Sequence, residues 1–143
     1  MNLPRVDFYL LNAQTTDARY TTMCRFVAKA YEQQHSVYIH CADQKEAMDV
    51  DRLLWTFNDT SFLPHQLLDN HAVSPVLIGY TSVAMMKDFD ILLNLSLTPP
   101  DFFLQSKRVV EIASADSAMR AKARENYRFY RAQGCEINSH HLS

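Results

Sequence analysis

Glycine is nearly missing from this chain: Gly79 and Gly134 are the only two among 143 residues. A phosphate-cradling loop or a dinucleotide turn needs several glycines close together, so that backbone amides can approach the phosphates. Neither can be built here. Cysteine is also sparse, and Cys24, Cys41 and Cys135 are odd in number with no C-x-x-C spacing. That pattern points to reduced, mostly buried thiols. No apolar run approaches the roughly 18 residues of a membrane span. No basic stretch followed by an apolar one opens the sequence. The expectation is a cytoplasmic protein with no membrane partner. An excess of positive charge is missing too: the formal net charge is −2. Sequence-wide attraction to nucleic acid usually needs a basic domain, so any recognition of anions must be local.

What is present fits an ordinary soluble globular chain, with 48% apolar and 21% charged residues. The length predicts one domain over 1–143, large enough for a real core. Residues 6–11 read as a first strand and 12–16 as turn formers. A helix follows over 17–34, with Tyr20, Met23, Cys24, Val27 and Tyr31 at helical spacing. Residues 36–41 read as a second strand. Asp43 caps a second helix that runs to about Thr56, and Glu46 completes a capping box. Residues 58–74 are polar and irregular. Strands are expected over 76–80, 91–96 and 107–113, the last being the final strand, with a helical turn over 101–105. Ser114 or Asp116 caps a last helix that ends near Gln133, with Gly134 beyond it. Short apolar strands alternating with amphipathic helices predict an α/β three-layer domain with a largely parallel sheet.

The most informative feature lies on that last helix. Arg120, Arg124, Arg128 and Arg131 are spaced four, four and three apart. At about 100° per residue they fall within about 80° of one another, and Tyr127 lies about 20° outside that sector. Met119, Ala123, Asn126 and Tyr130 form a different side, suited to packing on a core. One helix thus separates a packing face from an anion-reading face. Arginine suits that role because its planar fork holds carboxylates or phosphates bidentately. A solvated basic face near a helix C-terminus has the same spacing, and the pattern alone does not separate the two.

The second helix carries another anomaly. Ala47, Val50, Leu53 and Leu54 form its core face. Met48 and Trp55 lie about 150° from the centre of that face, and Phe57, Phe62, Leu63 and Pro64 follow closely. A second apolar side is either a packing surface under the next loop or a protein interface, where Trp and Phe are enriched. Catalytic signals are weak. His40 and Cys41 are strand neighbours and point to opposite faces. His35, His65, His71, His140 and His141 lack metal-ligand spacing; the last two read as part of a C-terminal tail. Asp7, Asp43, Asp88 and Asp90 sit near element ends, where carboxylates more often cap than catalyse. We assign no catalytic, cofactor or metal residues.

Taken together, the chain resembles the chi subunit family of bacterial DNA polymerase III holoenzyme. The likeness runs from Asp7-Phe8-Tyr9-Leu10-Leu11 to Gly134. It includes Leu54-Trp55, Ser61-Phe62-Leu63-Pro64-His65 and Asp90-Ile91-Leu92-Leu93-Asn94-Leu95. Its most specific run is Ala123-Arg124-Glu125-Asn126-Tyr127-Arg128-Phe129-Tyr130-Arg131. The resemblance implies a Rossmann-like fold without a working nucleotide site and a non-catalytic accessory of the clamp-loader complex. It implies two partners: the psi subunit, and the acidic, apolar-ended C-terminal tail of single-stranded DNA-binding protein. Carried over by position, tail binding falls on Arg120, Arg124, Tyr127 and Arg128, and psi binding on Trp55, Phe62 and Pro64. Arg120 and Arg128 stand where the family commonly has lysine. Residues 69–74 depart from the family, and nothing is carried over there. Two other readings stay open. One is a direct binder of single-stranded nucleic acid, with arginines on phosphates and Tyr127 stacking on bases. The other is an enzyme on a degenerate nucleotide-binding fold.

Overall fold

The computed structural model of the chain describes residues 3–57, 63–68, 74–80 and 89–142. Among them the elements run β1 (Arg5–Leu11), α1 (Thr16–Glu32), β2 (Val37–His40), α2 (Gln44–Thr56), β3 (Gln66–Leu67), β4 (Val76–Gly79), β5 (Phe89–Asn94), a 3₁₀ turn (Phe103–Gln105), β6 (Ser106–Ala113), α3 (Ser117–Ala132) and β7 (Ile137–Leu142). The sheet order is β3-β4-β2-β5-β6-β1-β7, and every pairing among the described residues is parallel.

The expected three layers follow from strand alternation. Val37 and Ile39 face a core shared with Met23, Val27 and Ala30 of α1 and Ala47, Val50 and Leu54 of α2. Tyr38, between them, faces the other way and joins Val6, Phe8, Leu92, Val109, Phe102 and Phe103 under Tyr130 of α3. Both faces of the central strands are covered, which is why they read as continuous apolar runs.

Local chemistry sets the element ends. Asp43 accepts from the Glu46 amide at 2.8 Å. The return bond is shifted by one residue: Glu46 Oε1 accepts from the Ala42 amide at 2.7 Å, one place before the cap. Its Oε2 accepts from the Tyr20 hydroxyl, tying α2 to α1. Asp116, not Ser114, caps α3, accepting from the Met119 amide at 3.0 Å. Gly134 follows α3 with φ of 91°, a left-handed conformation that costs glycine little. Gly79 is required for another reason: a Cβ there would collide with the buried Tyr38 ring.

Two strands escaped the sequence reading. β3 lies within the stretch read as irregular; at two residues it is too short to show a period. β7 replaces the expected C-terminal tail. Ile137-Asn138-Ser139-His140-His141-Leu142 lacks a sustained apolar pattern because it is an edge strand. It is held by a parallel ladder to β1 and by His140, whose ring stacks on Tyr9 at 4.7 Å.

Candidate functional site

The rotation of α3 about its axis decides where its arginines point. Tyr130 is fully buried and its hydroxyl donates to Glu111 Oε2 of β6 at 2.7 Å. Asn126 is buried beside it and donates to the Leu97 carbonyl at 3.3 Å. With this side locked down, the neighbouring flank overhangs β1 and β7. Arg120, Arg124, Tyr127, Arg128 and Arg131 all line one groove of about 360 Å³, whose floor includes Phe8, Leu10 and Ser139. Tyr127 packs against Phe8 with ring centroids 5.8 Å apart. The four residues assigned to tail binding therefore share one site, and Arg131 extends it.

The arginines of this groove are not equivalent. Arg120 Nε donates to the Ser114 carbonyl at 3.0 Å and its Nη2 to the Leu11 carbonyl at 2.7 Å. Arg124, Arg128 and Arg131 have no hydrogen-bond or ion-pair partner among the described residues. A purely structural arginine looks different: buried Arg19 donates to Ile112 and Leu95 carbonyls at 2.8 and 2.9 Å. Three unneutralised guanidiniums over an apolar floor can receive a ligand that is acidic and partly apolar. The floor was not assigned from sequence. Phe8 and Leu10 are legible as alternate residues of one strand, but Ser139 lies on the strand that escaped detection.

The second candidate surface is on α2. Trp55 is 54% exposed and Met48 49% exposed, so the apolar side opposite Ala47 and Val50 does reach solvent. The Trp55 ring lies 4.6 Å from that of His65; exposed Phe57 caps the same helix and exposed Leu67 lies in β3. Pro64 is half-buried. Phe62 lies outside the described residues.

The remaining chemistry is structural. Cys24 and Cys41 are buried; burial pushes the Cys24 thiol up to about 11 and raises that of Cys41 as well. Burial lowers the pKa of His40. Asp7 is buried beneath Arg108 and His140, with His140 Nε2 at 3.1 Å. Burial alone would raise its pKa, but these two bonds and the charges of Arg108 and Arg5 hold it below the usual value. Among the described residues no group of three His, Cys, Asp or Glu is placed to hold a metal ion. Among them, too, no helix is long and apolar enough to cross a membrane. In open parallel α/β sheets, ligands sit outside the carboxyl ends of the strands. Here Arg19 closes the ends of β5 and β6, and the space left between them and α3 is about 10 Å³. That is room for one water at most.

The sequence profile of the family described as DNA polymerase III chi subunit, HolC, matches residues 3–138. The chain belongs to the DNA polymerase III chi subunit family. The family is an accessory subunit of a replication polymerase. The chi subunit of Pseudomonas aeruginosa is 37% identical over 140 residues, covering 98% of both chains. That of Escherichia coli K12 is 30% identical over 138 residues, covering 92% of this chain and 94% of its own. That of Haemophilus influenzae is 26% identical over 137 residues, covering 94% and 95%. Among solved structures, the C-terminal domain of a possible DNA helicase from Lactobacillus plantarum WCFS1 superposes with a TM-score of 0.54 at 13% identity, over 96% of this chain and 85% of that one. That likeness concerns the fold alone.

Proposed function

We propose that this chi-family chain is a non-catalytic adaptor that folds as one domain and joins the polymerase III clamp loader to single-stranded DNA-binding protein. Arg120, Arg124, Tyr127 and Arg128 receive the acidic C-terminal tail of that protein. Trp55, Phe62 and Pro64 belong to the surface for the psi subunit. The observation that carries the reading is the groove between α3 and β1–β7, where Arg124, Arg128 and Arg131 lack partners among the described residues and stand above Phe8 and Leu10. Arginine fixes carboxylates, and Tyr127 with the apolar floor accommodates the last side chains of the tail. Positive charge concentrated along this strip draws in a flexible acidic segment despite the net charge of −2. So small a contact corresponds to micromolar affinity, about −8 kcal/mol. Several tails on one DNA-bound assembly raise the avidity without tighter single contacts.

The lack of a glycine-rich phosphate loop in the sequence supports a non-catalytic role. The experiment is a pair of separate calorimetric titrations, one with an acidic, apolar-ended tail peptide and one with single-stranded DNA. Saturable micromolar binding of the peptide is expected, with much weaker binding of the DNA. The reverse order of affinities would replace the adaptor with a direct nucleic-acid binder.

A further inference from the structure

The groove opens beside an unpaired strand edge. Among the described residues β7 has β1 as its one neighbour, so its other side ends the sheet. Two bonds set the phase of the ladder: Val6 N donates to Glu136 O at 2.9 Å and Asn12 N to Leu142 O at 3.2 Å. The register pairs Val6 with Ile137, Phe8 with Ser139 and Leu10 with His141. In a parallel ladder a residue bonds to the two neighbours of its partner. The even-numbered residues from Glu136 to Leu142 therefore face β1. The amides and carbonyls of Ile137, Ser139 and His141 face outward. Ser139 and His141 are exposed. Side-chain alternation puts these same odd-numbered residues on the α3 side, where Ser139 lines the arginine groove. Ser139 thus offers a backbone donor to the open edge and a side chain to the groove.

We infer that an acidic peptide bound in the groove adds to the outer edge of β7 as an extra strand, its backbone pairing with Ile137, Ser139 and His141. This rests on the proposed tail-binding role of the groove. Two features favour an extended acidic segment. Arg124 and Arg128 are four residues apart, a rise of about 6 Å along the helix. Same-face side chains of a strand repeat every two residues, or about 6.6 Å. Alternate carboxylates of an added strand can then meet successive arginines. The stripe from Arg120 to Arg131 spans about 16 Å, the length of about five extended residues. Natural sheet edges are usually guarded by proline or charge, but Ile137–Leu142 contains no Pro, Lys, Arg, Asp or Glu. Strand addition of this kind takes affinity from main-chain bonds and specificity from alternate side chains.

The test is amide hydrogen exchange on the intact protein, with and without a saturating synthetic acidic peptide that ends in an apolar residue. Exchange at Ser139 and His141 is expected to slow about tenfold or more, as new hydrogen bonds form. Unchanged exchange, with binding still dependent on Arg124, overturns the added strand and leaves the groove reading in place. No binding at all removes both. Slow exchange at these amides before peptide is added, growing with protein concentration, assigns the edge to a second copy and also overturns the inference. Ser139→Pro gives an independent check. It deletes an outward amide without touching the β1 ladder, the one situation in which an edge strand accepts proline. A folded Ser139→Pro protein should bind the peptide about tenfold less tightly, and full affinity would count against the added strand. If that variant does not fold, the exchange measurement on the unaltered chain decides.

Discussion

Arg120 Nη2 donates a hydrogen bond to the Leu11 carbonyl at 2.7 Å and ties the start of α3 to the end of β1. Arg124, one turn later on the same groove, has no such partner among the described residues. The two arginines therefore hold different shares of folding and binding.

Arg124→Ala is expected to weaken tail-peptide binding by about 1.5–3 kcal/mol, the range for a charge-assisted hydrogen bond, with little change in stability. Arg120→Ala frees two carbonyls as well and should lower unfolding free energy by about 1–2 kcal/mol. Urea unfolding and calorimetric titration on both variants measure the split. Identical stability in the two variants would mean that the Leu11 and Ser114 bonds contribute nothing.

Trp55→Ala should cost more in partner binding than in folding, because the ring is 54% exposed. At an interface hot spot the penalty is about 2 kcal/mol or more. Adding a psi subunit should shift Trp55 fluorescence to the blue as water leaves the ring. Tail-peptide affinity should be unaffected, since α2 and α3 lie on opposite faces of the sheet. A folded Trp55→Ala protein that binds psi with full affinity would take this residue out of the interface.

Glu111 should make stability pH-dependent. It is buried and accepts from Asn94 Nδ2 at 2.9 Å and from the Tyr130 hydroxyl at 2.7 Å. Burial pushes its pKa up to about 7, although those bonds and Arg19 oppose the rise. The folded state therefore keeps a proton that the unfolded chain loses near pH ~4.3. The resulting stabilisation is complete below that unfolded value and is lost as pH rises through about 7, an effect of roughly 3–4 kcal/mol. Glu111→Gln keeps an acceptor oxygen without the ionisation, so its stability should be flatter across that window. Asp7 has the opposite sign: its lowered pKa gives stability that disappears only in acid. Parallel pH curves for the wild type and Glu111→Gln would exclude Glu111 as the source.

Purified protein should neither turn over nor tightly bind ATP. Its two glycines cannot build a loop of phosphate-facing amides. Radiolabelled ATP in filter-binding and hydrolysis assays is sufficient. Saturable, Mg²⁺-dependent turnover that copurifies with the chain would overturn the adaptor reading.

Much of this was legible in the residues. The spacing of Arg120, Arg124, Arg128 and Arg131 placed them on one flank, because a regular helix converts sequence separation directly into angle. The opposed Met48–Trp55 and Ala47–Val50 faces of α2 followed in the same way. So did the Asp43 cap and the left-handed Gly134, which are set by groups a few residues apart. The shifted return bond of Glu46 was not legible, because it depends on the path of the chain before the cap.

Strand β7 was not legible either, and with it went Ser139 of the groove floor. An edge strand half open to water needs no sustained apolar pattern, so nothing local marks 137–142 as a strand. Its existence depends on β1, more than a hundred residues earlier, presenting a ladder. The sequence alone determined the helices, the alternation of the central strands, the lack of a phosphate loop and the arginine stripe, since each depends on neighbours along the chain. Tertiary structure decided that Arg120 is tied down while Arg124 is not, that Phe8 and Ser139 form the floor beneath them, and that Glu111 is buried against the Asn94 amide and the Tyr130 hydroxyl. Those outcomes depend on which distant backbone and side-chain groups share a boundary, and long-range pairing fixes that boundary.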